Sequence, residues 1–133
     1  MEKLDVTSFQ KAIDRLSEVI SVWNKNTSDF IVRDSMIQRF EYTYSLALKM
    51  TAKFINLQIN EISYAMTFNE IIRKASQFGL IKSNLETWDK YRKYRNMTSH
   101  TYDEETAEKV ISIIPEFKEE AEFLSAKLKE KTL

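Results

Sequence analysis

Cysteine is absent from the 133 residues, and glycine, proline and histidine occur once each. Without cysteine there is neither a disulfide framework nor a thiolate metal site. One glycine and one proline leave few positions for tight turns and little to interrupt a helix. With 43% hydrophobic and 30% charged residues, that balance points to an all-α class. No apolar run approaches the roughly 18 residues of a membrane span, and Met1-Glu2-Lys3-Leu4-Asp5 lacks the basic and apolar regions of a signal peptide. A cytoplasmic protein without membrane attachment is expected. An excess of one charge is missing too: Lys plus Arg and Asp plus Glu each total 20, for a formal net charge of zero. The whole-chain field that draws many proteins onto nucleic acid is therefore absent, so any contact with RNA has to be local. Metal-ligating side chains do not cluster, and neither a metal nor another cofactor is expected. The length suits a single domain spanning residues 1–133.

What is present is helical periodicity. Phe9, Ile13, Leu16, Ile20 and Trp23 recur at the three-to-four spacing of an amphipathic helix over residues 8–24, with Thr7 or Ser8 placed to cap it. The polar stretch from Asn24 to Ser28 reads as a connection. Ile37, Phe40, Tyr44, Ala47, Leu48, Thr51 and Phe54 carry a longer, central helix to about residue 58. The period fails at residues 60–65. Thr67 and Glu70 match the reciprocal capping arrangement that opens a third, short helix, and Gly79 closes it. Ser83 or Asn84 caps a fourth helix carrying Leu85, Trp88, Tyr91, Arg92 and Arg95 on adjoining faces. Thr101 or Asp103 caps a fifth, with an apolar stripe of Ala107, Val110, Ile111, Ile114, Phe117, Ala121, Leu124 and Leu128. Pro115 should kink that helix or begin a new one. The expected architecture is an antiparallel bundle of about five helices.

Between the last two helices lies Arg95-Asn96-Met97-Thr98-Ser99-His100-Thr101-Tyr102, with the histidine five positions after an arginine. On a continued helix five residues sweep about 500°, which would leave Arg95 and His100 roughly 140° apart, whereas Asn96 and His100 would share a face. For guanidinium and imidazole to reach one ligand, the helix has to end near Thr98 or Ser99. Histidine, with an unperturbed pKa of about 6.5, gives and takes protons near neutrality. Arginine offers five fixed donors to phosphate oxygens and to the charge of a phosphorane. If RNA lies in the site, His100 deprotonates a ribose 2′-hydroxyl, Arg95 stabilises the phosphorane, and Asn96 orients His100 or binds phosphate, all without a metal. A second acid is then needed, and a symmetric dimer that brings two copies together supplies one. The blander reading makes His100 a helix cap. On that reading Lys90, Arg92, Lys93 and Arg95 before the break, and Asp103-Glu104-Glu105 after it, complement the helix dipoles.

At Arg95, Asn96 and His100 the chain resembles the HEPN superfamily, whose hallmark is an arginine, four to six residues beginning with a polar one, and a histidine. The longer run Arg-Asn-Met-Thr-Ser-His-Thr-Tyr-Asp-Glu-Glu-Thr-Ala at 95–107 resembles the nucleotidyltransferase substrate-binding protein subgroup, relatives of the HepT toxins. The likeness extends to Ile37-Gln38-Arg39-Phe40-Glu41-Tyr42-Thr43-Tyr44 and to Ala75 through Ile81, ending in Gly79-Leu80-Ile81, and spans about residues 8–125. Ser45 and Leu48 depart from it, standing where an acidic residue and a tryptophan are expected. The resemblance implies a helical bundle that forms a homodimer and works beside a separately encoded minimal nucleotidyltransferase. In the HepT branch it implies a metal-independent endoribonuclease toxin whose partner is the antitoxin. It also implies that Tyr102 is the hydroxyl to which the partner attaches AMP, excluding RNA by charge and volume.

The chain is not itself the transferase, because such enzymes cradle triphosphate on a Gly-Ser turn and the one glycine, Gly79, precedes Leu80. Three readings stand: a ribonuclease toxin, a non-catalytic subunit that binds a substrate or nucleotide for the transferase through Arg95 and His100, and a plain helical scaffold. The aromatic residues of the central and fourth helices read as core.

Overall fold

Leu4 and Val6 are buried, and they lead the chain into α1 (Thr7–Lys25). Neither Thr7 nor Ser8 caps this helix, contrary to the sequence expectation. The N-cap position falls on Val6, and the Asp5 carboxylate accepts the Thr7 N–H at 2.9 Å. Burial of the two apolar residues fixes where the chain enters, so capping passes to the nearest acidic side chain. The computed structural model describes residues 4–59 and 66–132, and the expected loss of period at residues 60–65 lies outside them.

The described residues hold α1, α2 (Phe30–Ile59), α3 (Phe68–Gln77), α4 (Leu85–Asn96), a 3-10 turn (Thr98–His100) and α5 (Glu104–Lys131), with no strand among them. This is the expected all-α bundle. Asp29 opens α2 by accepting the N–H groups of Ile31 and Val32, and α2 then runs for 30 residues, about 45 Å. The capping pair Thr67 and Glu70 opens α3, the Thr67 hydroxyl both accepting the Glu70 N–H and donating to its carboxylate. Gly79 closes it at φ +72°, with Leu80 N–H donating to the Ala75 carbonyl and Gly79 N–H to that of Ser76. These two bonds form the Schellman arrangement that favours glycine. Of the paired alternatives, Asn84 caps α4 and Asp103 caps α5.

Pro115 neither ends α5 nor begins a second helix. Its ring is exposed, and the buried residues Ile114 and Phe117 on either side hold the helix against the core. Phe117 is fully buried and is the hub of that core. Its ring meets Phe40 edge-on at 5.1 Å and Tyr91 at 5.3 Å, with Trp88 at 6.1 Å and Tyr44 at 6.2 Å. It therefore ties α2 and α4 to α5. The buried threonine hydroxyls of α2 are satisfied within the helix: Thr43 donates to the Arg39 carbonyl and Thr51 to that of Ala47.

Phe117→Ala should cost about 3–5 kcal/mol of unfolding free energy, read from urea denaturation, because the cavity opens among four rings that cannot all close in. A loss below about 1 kcal/mol would show that the hub is not central.

Candidate functional site

Two core residues set the direction of α4. Trp88 and Tyr91 are buried, and Arg95, four residues after Tyr91, lies on an adjoining, half-buried face. Burial, with Glu116 and Glu120 nearby, pushes the Tyr91 phenol well above its usual range. The Tyr44 phenol is pushed up to about 12, chiefly by burial and against the opposing charges of Arg92 and Arg95. Both phenols stay protonated near neutrality, and the second lies within electrostatic reach of two α4 guanidinium groups.

The helix ends at Asn96, two residues before the earlier of the expected positions, and a 3-10 turn of Thr98, Ser99 and His100 comes next. Buried Thr98 holds this turn. Its hydroxyl donates to the Arg95 carbonyl at 2.8 Å, and its own carbonyl accepts the Thr101 hydroxyl at 3.1 Å. The His100 N–H donates to the Met97 carbonyl, the His100 carbonyl accepts the Asp103 N–H, and Asp103 caps α5 through Thr106. The backbone is thus pinned on both sides of His100 while its imidazole is exposed.

The predicted residues are not all drawn to one point. The His100 and Tyr102 rings meet edge-on with centroids 6.1 Å apart, and Tyr102 is 84% exposed. Asn96 lies instead in an open groove of about 480 Å³ with Asp89, Arg92, Lys93 and Met97. Among the described residues no hydrogen bond or ion pair joins Arg95 to His100, and neither side chain is taken by another partner through such a bond. The helix break removes the shared face that Asn96 and His100 would have on a continued helix. Ser45 is exposed and bonded to the Glu41 carbonyl, and Leu48 packs against the core; an open groove of about 300 Å³ runs along this stretch of α2, between Tyr42 and Leu46 and the face of α1 that carries Ser8 and Arg15. Among the described residues no group of His, Cys, Asp and Glu could hold a metal ion, and no helix is long and apolar enough to cross a membrane.

Sequence reasoning missed Arg33. This arginine is only 6% exposed, and its Nη1 donates to Glu104 Oε2 at 2.9 Å. Its Nε reaches Asp34 at 3.4 Å, and its guanidinium sits 4.0 Å over the Phe30 ring. It therefore fastens the start of α2 to the first turn of α5, directly after the motif. The signal was its register: Arg33 stands three, four and seven residues before Met36, Ile37 and Phe40, on the buried stripe of α2. Glu120, also buried, was missed in the same way; it accepts the Lys82 N–H and so holds the approach to α4.

Comparisons with known proteins show the family and the fold. A family model described as nucleotidyltransferase substrate binding protein like matches residues 4–130. A Haemophilus influenzae protein named probable ribonuclease HepT is 35% identical, over 98% of this chain and 95% of its own length. A solved Haemophilus influenzae structure, described as revealing the fold of a substrate binding domain of a nucleotidyltransferase, superposes with a TM-score of 0.82 at 33% identity. That match covers 94% of this chain and 99% of the other.

Glu104→Ala should destabilise the protein by about 1–3 kcal/mol, because it strips a buried guanidinium of its closest partner. Arg33→Met, which removes the charge and keeps an apolar stem, should cost less. Urea denaturation of the two variants measures the order, and the reverse order would mean that Arg33 acts through packing rather than charge.

Proposed function

This chain belongs to the family of nucleotidyltransferase substrate binding protein-like proteins, and from that membership we propose that it is the HepT-like partner of a minimal nucleotidyltransferase and a metal-independent endoribonuclease. The observation that carries the reading is an exposed imidazole, pinned by its own backbone just beyond a helix end and followed within two residues by an exposed tyrosine. A core histidine would be buried, and this one is exposed.

In the proposed reaction His100 takes the proton of a ribose 2′-hydroxyl. The 2′-oxygen attacks the adjacent phosphorus, and Arg95 stabilises the charge that gathers on the phosphorane oxygens. The P–O5′ bond then breaks, leaving a 2′,3′-cyclic phosphate, and the departing 5′-oxygen takes a proton from a second acid. A homodimer supplies that acid as the His100 of the other copy. Exposed apolar side chains support such pairing: Phe30 is 47% and Ile31 85% exposed, at the end of α2 that Arg33 joins to α5 beside the motif. Asn96 orients the nucleotide.

Tyr102 is the control point. Its phenol oxygen would attack the α-phosphorus of ATP held by the transferase, releasing pyrophosphate and leaving AMP on the tyrosine. With the two rings 6.1 Å apart, the added phosphate and nucleoside occupy the space beside the imidazole. The pair would then act as toxin and antitoxin. The description of the solved relative as a substrate binding domain favours a second reading, in which Arg95 and His100 bind a nucleotide or RNA for the transferase without cutting it.

Incubation of the purified protein with RNA and EDTA separates the two readings. Cleavage is expected, falling by about 10²-fold or more in both His100→Ala and Arg95→Ala. Folded protein that binds RNA and never cuts it would establish the binding subunit instead. Co-expression with the transferase should add the mass of one AMP group. Persistence of that mass in Tyr102→Phe would overturn the modification site.

A further inference from the structure

Charge along α4 divides into two halves. Near its start the cations are neutralised: Lys82 pairs with Glu119 at 4.0 Å, and Lys90 with Glu116 at 2.9 Å. Beyond Tyr91 the pattern changes, and Arg92, Lys93 and Arg95 have no carboxylate partner among the described residues. The negative end of the helix dipole accounts for cations in the last turn, where Lys93 and Arg95 lie. Arg92 stands one residue before that turn, at the edge of the dipole's reach. That side chain is held 5.0 Å over the Phe68 ring of α3, a contact that fixes its position while leaving its charge unneutralised.

Arg92 and Lys93 also share a groove with Asn96 and Met97, with Asp89 at its far end. These residues step along α4 one turn at a time, about 5.4 Å per turn, and the last step leads into the 3-10 turn that carries His100. An open groove that carries two cations and ends at Met97, next to the 3-10 turn of His100, has the character of a strand path rather than a pocket. Its chemistry suits a phosphodiester backbone, since the groove offers two cations and an amide, with Met97 and the aliphatic stems of the cations supplying apolar surface beside them.

We propose that Arg92 and Lys93 bind the phosphates of single-stranded RNA flanking the bond presented to His100, an inference that rests on the RNA-directed reading of His100 and Arg95. Asp89 repels the backbone and so marks where the track stops. The two cations are positioning residues: they hold the strand in register and take no part in proton transfer. Their outward placement leaves the core untouched.

The test uses full-length protein carrying His100→Ala, so that RNA is bound but not cut, and a labelled oligouridylate of about 12 nucleotides. Affinity is measured over a range of salt concentrations. Arg92→Gln and Lys93→Gln should each weaken binding several-fold, and each should reduce the slope of log affinity against log salt by about 0.7. Arg92→Lys should restore the slope. Lys109→Gln, which removes a cation already paired with Glu105, serves as the control and should leave the slope unchanged. An unchanged slope in the Arg92→Gln, Lys93→Gln double variant, with binding intact, overturns the track while leaving the ribonuclease reading in place. Retained RNA binding with lost capture of the nucleotidyltransferase also overturns it, and assigns the groove to the protein partner. Absence of both binding and cleavage in the His100-containing protein would remove the ribonuclease reading and the track together.

Discussion

Everything at the α4–α5 junction depends on the packing of aromatic edges around Phe117. One ring on α5 is met by two from α2 and two from α4, so three helices are located by a single side chain. Edge-to-face contacts restrict relative rotation as well as distance. Because Trp88 and Tyr91 are fixed in rotation, the remaining faces of α4 are fixed too. Arg95 is carried to a half-buried edge, and Arg92, Lys93 and Asn96 are carried outward.

That core places the end of α4, and a separate set of polar contacts shapes the turn beyond it. Thr98 and Asp103 tie the backbone down on either side of His100, and buried Arg33 holds the first turn of α5 against the start of α2. Burying a guanidinium is costly unless it is paired, so Glu104 has little freedom to leave. The turn is therefore rigid where the backbone is concerned and open where the side chains are. That combination suits a site built to meet a ligand.

The charges are arranged with similar restraint. With formal charge summing to zero over the whole chain, attraction for an anionic strand has to arise from where cations are left unpaired. Ion pairs on the first half of α4 and on α5 remove charge there. The field that survives along α4 lies toward its C-terminal end, on the approach to His100.

Periodicity alone determined the helix count, the buried faces and the position of the motif between α4 and α5, because burial of an apolar stripe is a local property of spacing. Thr67, Gly79 and Asn84 were legible as helix punctuation for the same reason. The motif itself was legible through its resemblance to a family, which marked Arg95, Asn96, His100 and Tyr102. Only the tertiary structure decided the rest. Val6 displaced the expected cap of α1 because burial of the entering chain outweighs one side-chain hydrogen bond. Pro115 was carried through α5 because its neighbours are held in the core. Arg33 and Glu104, 71 positions apart, and Arg92 over Phe68 are invisible to local pattern, since pairing across a bundle depends on which helix faces meet.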